Sequence, residues 1–146
     1  MNTAERVIAG CLAGVVAGLV LVGFVSGTPL RHFIQVMPAL VVLVAAVRRV
    51  TWASWAALPV FAFWFVIMLV IWLWLLGLAR IITGNFTASE VALTILIGSC
   101  AVAGVVATVW SPSRAGAAGR CVSFLLFAAL QVIAMWLSLQ PSVSGR

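Results

Sequence analysis

The stretch of chain that most limits the possible folds runs from Val50 to Ala79, where no residue carries a charge. It contains the run FAFWFVIMLVIWLWLL, and about 20 apolar residues, at a rise of about 1.5 Å each, cross the hydrocarbon core of a bilayer. Of all 146 residues, 66% are hydrophobic and 7% are charged, whereas soluble proteins have roughly 45–50% and 25%. The sequence therefore predicts a protein embedded in a membrane.

Charged and turn-forming residues divide the chain into five apolar segments, each long enough to span a membrane as a helix. The predicted spans are about Val7–Ser26, Pro29–Val47, Ala56–Ala79, Glu90–Trp110 and Arg120–Leu139. The second segment is short. Because proline is favoured at the first position of a helix, we expect this helix to begin at Pro29, which makes it long enough to be a span. If the segment were re-entrant instead, four spans would remain. We expect an all-α bundle of five transmembrane helices that forms one domain over residues 1–146.

The placement of arginine predicts the orientation of the chain. All eight basic residues are arginines, and the acidic residues are Glu5 and Glu90. With five spans, one side of the membrane carries Arg6, Arg48, Arg49, Arg114 and Arg120, and the other carries Arg31, Arg80 and Arg146. Because basic residues accumulate on the cytoplasmic side, we expect a bacterial cytoplasmic membrane protein with a cytoplasmic N-terminus. The scattered arginines indicate contacts with membrane lipids and argue against nucleic acid.

Two helices carry small residues at four-residue spacing, which lets a neighbouring helix approach closely. In the first helix these residues are Gly10, Gly14 and Gly18. In the fourth helix they are Ser99, Ala103 and Ala107, with Gly98 and Gly104 beside them. The two strips are predicted to be packing surfaces, either for each other or for a second copy of the chain. We therefore expect a homo-oligomer or a subunit of a membrane complex.

The third helix carries aromatic rings on all of its faces. They belong to Phe61, Phe63, Trp64, Phe65, Trp72 and Trp74. Rings distributed in this way predict a helix that packs poorly along its length and turns them towards lipid or towards a lipophilic ligand. Trp52 and Trp55, which follow two arginines, fit the belt of aromatic residues at a membrane interface.

A few polar residues in or beside the spans are the candidates for a binding site. Arg31, His32 and Gln35 cluster at the start of the second helix, and five spans place Arg80 and Glu90 on the same side of the membrane. The sequence predicts that these five residues form a pocket for an anionic headgroup or a small polar ligand. The alternative is that the arginines reach individually for the interface and that Glu90 serves only a capping box with Thr87.

Gln131 lies near the middle of the fifth span, where an amide seeks a hydrogen-bond partner on another helix. We expect it to hold helices together rather than to line a transport path. Pro38 has no amide donor, so the backbone carbonyl of Ile34 lacks its usual partner within the helix. This carbonyl is a further hydrogen-bond acceptor on the second helix.

The inventory of reactive residues argues against catalysis. The chain has one histidine and no aspartate, lysine or tyrosine, so hydrolytic triads and multi-ligand metal sites are not expected. Cys11, Cys100 and Cys121 lack the spacing of a metal site, and no cofactor is predicted. We expect a non-catalytic membrane module that acts by helix packing, as an accessory subunit or scaffold, and holds a lipid or lipophilic ligand. A small homo-oligomeric transporter or channel is the alternative.

Overall fold

A computed structural model describes residues 2–79, 86–111 and 115–144. The described residues form five long helices and one short one: α1 (Thr3–Val25), α2 (Pro29–Val47), α3 (Ala53–Leu75), α4 (Ala88–Trp110), α5 (Ala117–Ser138) and α6 (Pro141–Ser144). The five long helices are long and apolar enough to cross a membrane, which indicates an integral membrane protein. The predicted all-α fold is confirmed, and the doubtful second segment is a 19-residue helix that begins at Pro29.

The ends of two helices follow directly from the local sequence. In α4 the amide of Glu90 donates to Thr87 Oγ1 over 3.3 Å, and the amide of Thr87 donates to Glu90 Oε2 over 2.8 Å. This is the predicted capping box, which satisfies amides that have no partner within the helix. Asn2 and Glu5 form a second capping box, which is why α1 begins at Thr3 and not near Val7.

The helices pack around α3, which contacts each of the other four long helices. Helix α4 lies against α1 and α3, while α5 lies against α2 and α3; in the part of the chain that the structure describes, α4 and α5 do not touch. Consecutive long helices run antiparallel. The start of α1 and the α2–α3 connection therefore lie at one end of the bundle, here called the amino-terminal end. The α1–α2 connection and the start of α4 lie at the other, called the cavity end.

Two of the three α1 glycines lie in a close helix contact. A Cβ atom built on Gly14 would lie 2.5 Å from Cys100 Sγ, and one built on Gly18 would lie 2.5 Å from Ile97 Cγ1. A Cβ on Gly10 would meet no atom of the described residues within 4 Å. The close approach between α1 and α4 therefore depends on the absence of side chains at positions 14 and 18.

The small-residue strip predicted for α4 does not meet the strip on α1, and its packing against a second copy of the chain stays a prediction. Ser99 and Ala103 are exposed and Ala107 is half-buried, whereas the flanking Gly98 and Gly104 are buried. The two glycines face α3, where a Cβ would collide with the rings of Trp72 and Phe61. The glycines of α4 thus make room for aromatic rings and do not mirror the strip on α1.

The expectation that α3 packs poorly along its length is wrong at two of its rings, while Phe63, Phe65, Trp72 and Trp74 are half-buried. Phe61 is 0% exposed and Trp64 is 2% exposed. Rings of this size fit inside the bundle because Gly104 and Gly98 lie opposite Phe61 and Trp72. Helix α3 is therefore the centre of the core.

Candidate functional site

A cavity of about 390 Å³ lies at the cavity end, between the end of α1, the start of α2, the second half of α3 and the start of α4. Four of the five residues predicted to form a polar pocket line it: Arg31, His32, Gln35 and Glu90. The fifth, Arg80, lies outside the described residues. The antiparallel arrangement brings the four together, because the first turns of α2 and α4 begin at the same end of the bundle.

The cavity reaches the middle of the bundle. Its lining on α3 extends from Ile71 down to Trp64, which is about 10 Å along the helix axis. Trp64 is the central residue of α3 (Ala53–Leu75), so it lies at mid-depth. Between the polar rim and Trp64 the walls are mostly apolar, and they include Leu19, Val22, Ile67, Met68, Ile71, Ile97 and Met135.

Hydroxyl groups and a histidine form the rim. Ser26 Oγ lies 2.8 Å from Thr28 Oγ1, which lies 3.2 Å from His32 Nδ1. His32 Nδ1 also lies 3.1 Å from the backbone oxygen of Thr28. Because a carbonyl oxygen can only accept, this contact places the proton on Nδ1, so the neutral ring presents Nε2 as an acceptor. The structure therefore orients the His32 ring through the turn that begins α2.

The amide groups of Gln35 and Gln131 join α2 to α5. Gln35 Nε2 donates to Ser138 Oγ over 2.8 Å and lies 3.4 Å from Met135 Sδ. Gln131 Nε2 donates over 3.2 Å to the backbone oxygen of Gln35. This acceptor is one residue after Ile34, whose carbonyl was expected to be free because of Pro38. Gln131 thus makes the interhelical hydrogen bond expected of it, and the side-chain nitrogen of Gln35 is used in packing.

Two buried donors of the cavity lining have no hydrogen-bond partner among the described residues: Arg31 Nε and Trp64 Nε1. Trp72, two turns further along α3, is different, because its Nε1 donates to Thr94 Oγ1 over 3.1 Å. A buried donor without a partner costs about 1–3 kcal/mol, and such groups in native proteins usually bind water or a ligand. Both nitrogen atoms are covered by neighbouring protein atoms, so a hydrogen bond from either one into the cavity requires its side chain to turn.

The charges at the cavity favour an anion near Arg31. The charged side chains among the described lining residues are Arg31 and Glu90. Glu90 Oε2 already accepts hydrogen bonds of 2.8 Å from both the amide and the hydroxyl of Thr87, and the N-terminus of α4 stabilises its negative charge. Arg31 Nε, in contrast, is buried without an acceptor.

The sequence did not single out Trp64 as a site residue. Seven tryptophans are present in the chain, and no pattern within α3 distinguishes the unpaired indole of Trp64 from the paired indole of Trp72. The distinction depends on Thr94, which comes from another helix.

Neither a metal site nor a relative gives this cavity a known role. Within residues 2–79, 86–111 and 115–144, no group of three or more His, Cys, Asp or Glu side chains is arranged to hold a metal ion. Comparison of the chain with protein-family models, curated proteins and solved structures finds no match. The assignment of function therefore depends on the geometry of the cavity.

Proposed function

We propose that this protein is a non-catalytic integral membrane module that binds an anionic single-chain amphiphile in the cavity between α1, α2, α3 and α4. The observation that carries the proposal is the position of Arg31, a cation in the lining of a cavity whose deeper walls are mostly apolar. The anionic head pairs with Arg31, and the apolar chain lies against the walls formed by α1, α3 and α4.

The size and lining of the cavity support an amphiphile over a polar solute. Its volume of about 390 Å³ is at the lower end of the roughly 300–1,000 Å³ typical of small-molecule sites. A single short acyl chain with its head fits this space better than a lipid with two chains. Apolar walls with a few placed polar groups are also what such sites commonly have.

The module acts through packing and binding and not through chemistry. It works as a subunit of a membrane complex or as a homo-oligomer, in a bacterial cytoplasmic membrane with its N-terminus in the cytoplasm. The arginine distribution supports this orientation, because Arg6, Arg48, Arg49 and Arg120 lie at the amino-terminal end of the bundle. Reporter fusions at each terminus test it: the N-terminal reporter is expected inside and the C-terminal reporter outside.

Binding of radiolabelled laurate to the protein in phosphatidylcholine nanodiscs tests the proposed ligand class, with empty nanodiscs as the blank. Arg31→Gln is expected to raise the Kd by about tenfold or more, because it removes a charged hydrogen bond. Arg48→Gln is the matched control, since Arg48 is exposed at the opposite end of the bundle, and it is expected to leave the Kd unchanged. Equal losses in the two variants, or no saturable binding to the wild type, would overturn the proposal.

Transport is the second candidate function, and the depth of the cavity favours it, because carriers often bind their substrates near the middle of the membrane. Below Trp64, however, Phe61 is 0% exposed and fills the space beside Gly104. We therefore expect proteoliposomes to bind laurate without accelerating its transfer across the membrane. Accelerated transfer that is lost in Arg31→Gln would favour the carrier.

A further inference from the structure

We infer that the amino-terminal end of the bundle binds an anionic phospholipid of the surrounding bilayer, whose headgroup pairs with Arg120. The site is a groove of about 470 Å³ between the start of α3 and the start of α5. It lies at the opposite end of the bundle from the cavity, so the inference does not depend on the proposed function.

The groove has the lining expected for an acyl chain. Its α5 wall is formed by positions 117, 120, 121, 124 and 125, which recur at the three- and four-residue spacing of one helix face. From Ala117 to Leu125 this face extends about 12 Å into the span. Cys121 and Leu125 are exposed, so the groove opens towards the bilayer and a lipid chain can enter it from there.

Arg120 supplies a positive charge at the mouth of the groove. It is the fourth residue of α5, and its guanidinium lies 5.5 Å from the centre of the Trp55 ring. It is half-buried, whereas the other described arginines at this end, Arg6, Arg48 and Arg49, are exposed. The ring holds the guanidinium at the groove but supplies no acceptor oxygen, and a phosphate group accepts two N–H bonds from an arginine at once.

Neither acidic residue of the chain lies beside Arg120. Glu90 is at the cavity end, and α1, which carries Glu5, does not contact α5 in the described part of the chain. The N-terminus of a helix also has a partial positive charge. Helices α1 and α4 have a glutamate in the first turn, but α5 has no acidic residue there. The start of α5 is therefore a place of positive potential that an anion from outside the chain neutralises.

A second groove beside the start of α5 shows what the charge adds. It has a similar volume, about 510 Å³, and its lining includes Thr51, Trp52, Gly119 and Ser123 but no charged residue. An acyl chain in that groove meets no group that distinguishes one headgroup charge from another. Of the two grooves, the one at Arg120 is the one that selects an anionic lipid.

A second copy of the chain is a poorer occupant of the groove than a phospholipid. The carboxylates of Glu5 and Glu90 already accept hydrogen bonds in their capping boxes, so a second copy has no unengaged carboxylate side chain to offer Arg120. An anionic phospholipid supplies the charge and the apolar chain in one molecule.

Native mass spectrometry of the detergent-solubilised protein tests the inference, with dioleoylphosphatidylglycerol and dioleoylphosphatidylcholine as the probes. The two lipids share their acyl chains and differ in net charge. The wild type is expected to bind the first phosphatidylglycerol molecule about fivefold more tightly than phosphatidylcholine, because one arginine attracts the net negative charge. Arg120→Gln is expected to abolish this preference. Arg48→Gln is the matched control, because Arg48 is exposed at the same end and does not line the groove, and it is expected to keep the preference.

Four results would overturn the inference. Equal binding of the two lipids by the wild type would do so even if Arg120→Gln does not fold. Equal losses in Arg120→Gln and Arg48→Gln would mean that the lipid is attracted by the whole positive end. Loss of the preference in Arg31→Gln, with its retention in Arg120→Gln, would place the phospholipid in the cavity. A lipid-free dimer as the main species would mean that a second copy covers the groove.

The same variant keeps this inference separate from the proposed function. Arg120→Gln is expected to leave the Kd for laurate unchanged, because Arg120 does not line the cavity. The preference for phosphatidylglycerol can therefore fail while laurate binding stands, and the reverse.

Discussion

Phe61 and Trp64 are one turn apart on α3 and equally buried, yet their surroundings differ. Phe61 lies against Gly104 in a filled part of the core, whereas Trp64 borders a cavity of about 390 Å³ and leaves its N–H unpaired. On the facing helix, Gly104 makes room for the Phe61 ring and Gly98 makes room for the Trp72 ring, while α4 presents Glu90, Thr94 and Ile97 at the cavity. A chain of nearly uniform hydrophobicity therefore builds a packed half around Phe61 and an open half around the cavity, with a glycine opposite a ring in both.

The ends of the bundle differ in the same way. At the amino-terminal end, Trp52 stacks on Phe127 with ring centroids 5.6 Å apart. The Arg120 guanidinium lies 5.5 Å from the centre of the Trp55 ring, a cation–π contact. At the cavity end, in contrast, Arg31 Nε has no partner among the described residues. At the amino-terminal end Arg120 and the two tryptophans make ring contacts, whereas at the cavity end Arg31 Nε is unpaired.

Adding volume to the packed half is expected to have the largest effect on stability. Gly104→Leu places a side chain where the Phe61 ring lies, and overpacking of this kind costs about 3 kcal/mol or more. Thermal unfolding in detergent measures the loss. Gly10→Leu is the matched control, because the space beside Gly10 is open, and it is expected to be neutral or slightly stabilising. If Gly104→Leu and Gly10→Leu were similarly stable, Gly104 would not be required for the close packing around Phe61.

Adding volume at the α1–α4 contact is expected to lower the stability less, because the added atom conflicts with a single sulfur atom. Gly14→Ala is predicted to destabilise the protein by about 1 kcal/mol. The new Cβ would lie 2.5 Å from Cys100 Sγ, which is too close, whereas its distance of 3.6 Å to Cys100 Cβ is an ordinary contact. Cys100→Ala removes the sulfur, so the double variant is expected to regain the stability of Cys100→Ala alone. Additive losses in this double-mutant cycle would contradict the observed contact.

The interhelical hydrogen bond of Gln131 is expected to contribute still less. Gln131→Leu removes the donor to the Gln35 carbonyl, and with it Gln131 Oε1, a buried acceptor without a partner among the described residues. Hydrogen bonds between membrane helices contribute about 0.6 kcal/mol on average, so a loss near this value is predicted from thermal unfolding. Laurate binding should be unchanged. A strong loss of binding in a stable Gln131→Leu protein would extend the site to the hydrogen bond between α5 and α2.

Adding volume to the cavity half is expected to have the smallest effect on stability. Val22 lines the cavity and is half-buried, so Val22→Leu should change the free energy of unfolding by no more than about 0.5 kcal/mol. The same substitution is expected to weaken laurate binding, because it takes up space for the chain. A destabilisation as large as that of Gly104→Leu would show that the two halves are equally filled.

The parts of the fold that depend on local sequence were predictable. Helix number follows from the lengths of the apolar segments, and the start of α4 follows from Thr87 and Glu90. Arg31 and Glu90 come to one cavity because each lies in the first turn of its helix and the helices start at the same end. These inferences require only chain direction and hydrophobic length.

The faces that α3 and α4 present to each other were not predictable. Four-residue spacing selects Ser99 and Ala103 on α4, but the buried face contains Gly98 and Gly104 because they lie opposite rings of α3. A single sequence does not say which residue of one helix faces a given ring of another. The unpaired indole of Trp64 went unrecognised for the same reason.

Photoaffinity labelling with a laurate analogue that carries a diazirine in its chain, in phosphatidylcholine nanodiscs, tests whether the cavity end holds an amphiphile. Mass spectrometry of the labelled peptides is expected to place the adducts on Ile67, Met68 and Ile71, the α3 wall of the cavity, and unlabelled laurate should suppress them. Arg31→Gln should reduce this labelling, and Arg48→Gln should not. Adducts confined to exposed side chains such as Val132 and Trp136, with no competition by laurate, would contradict binding in the cavity.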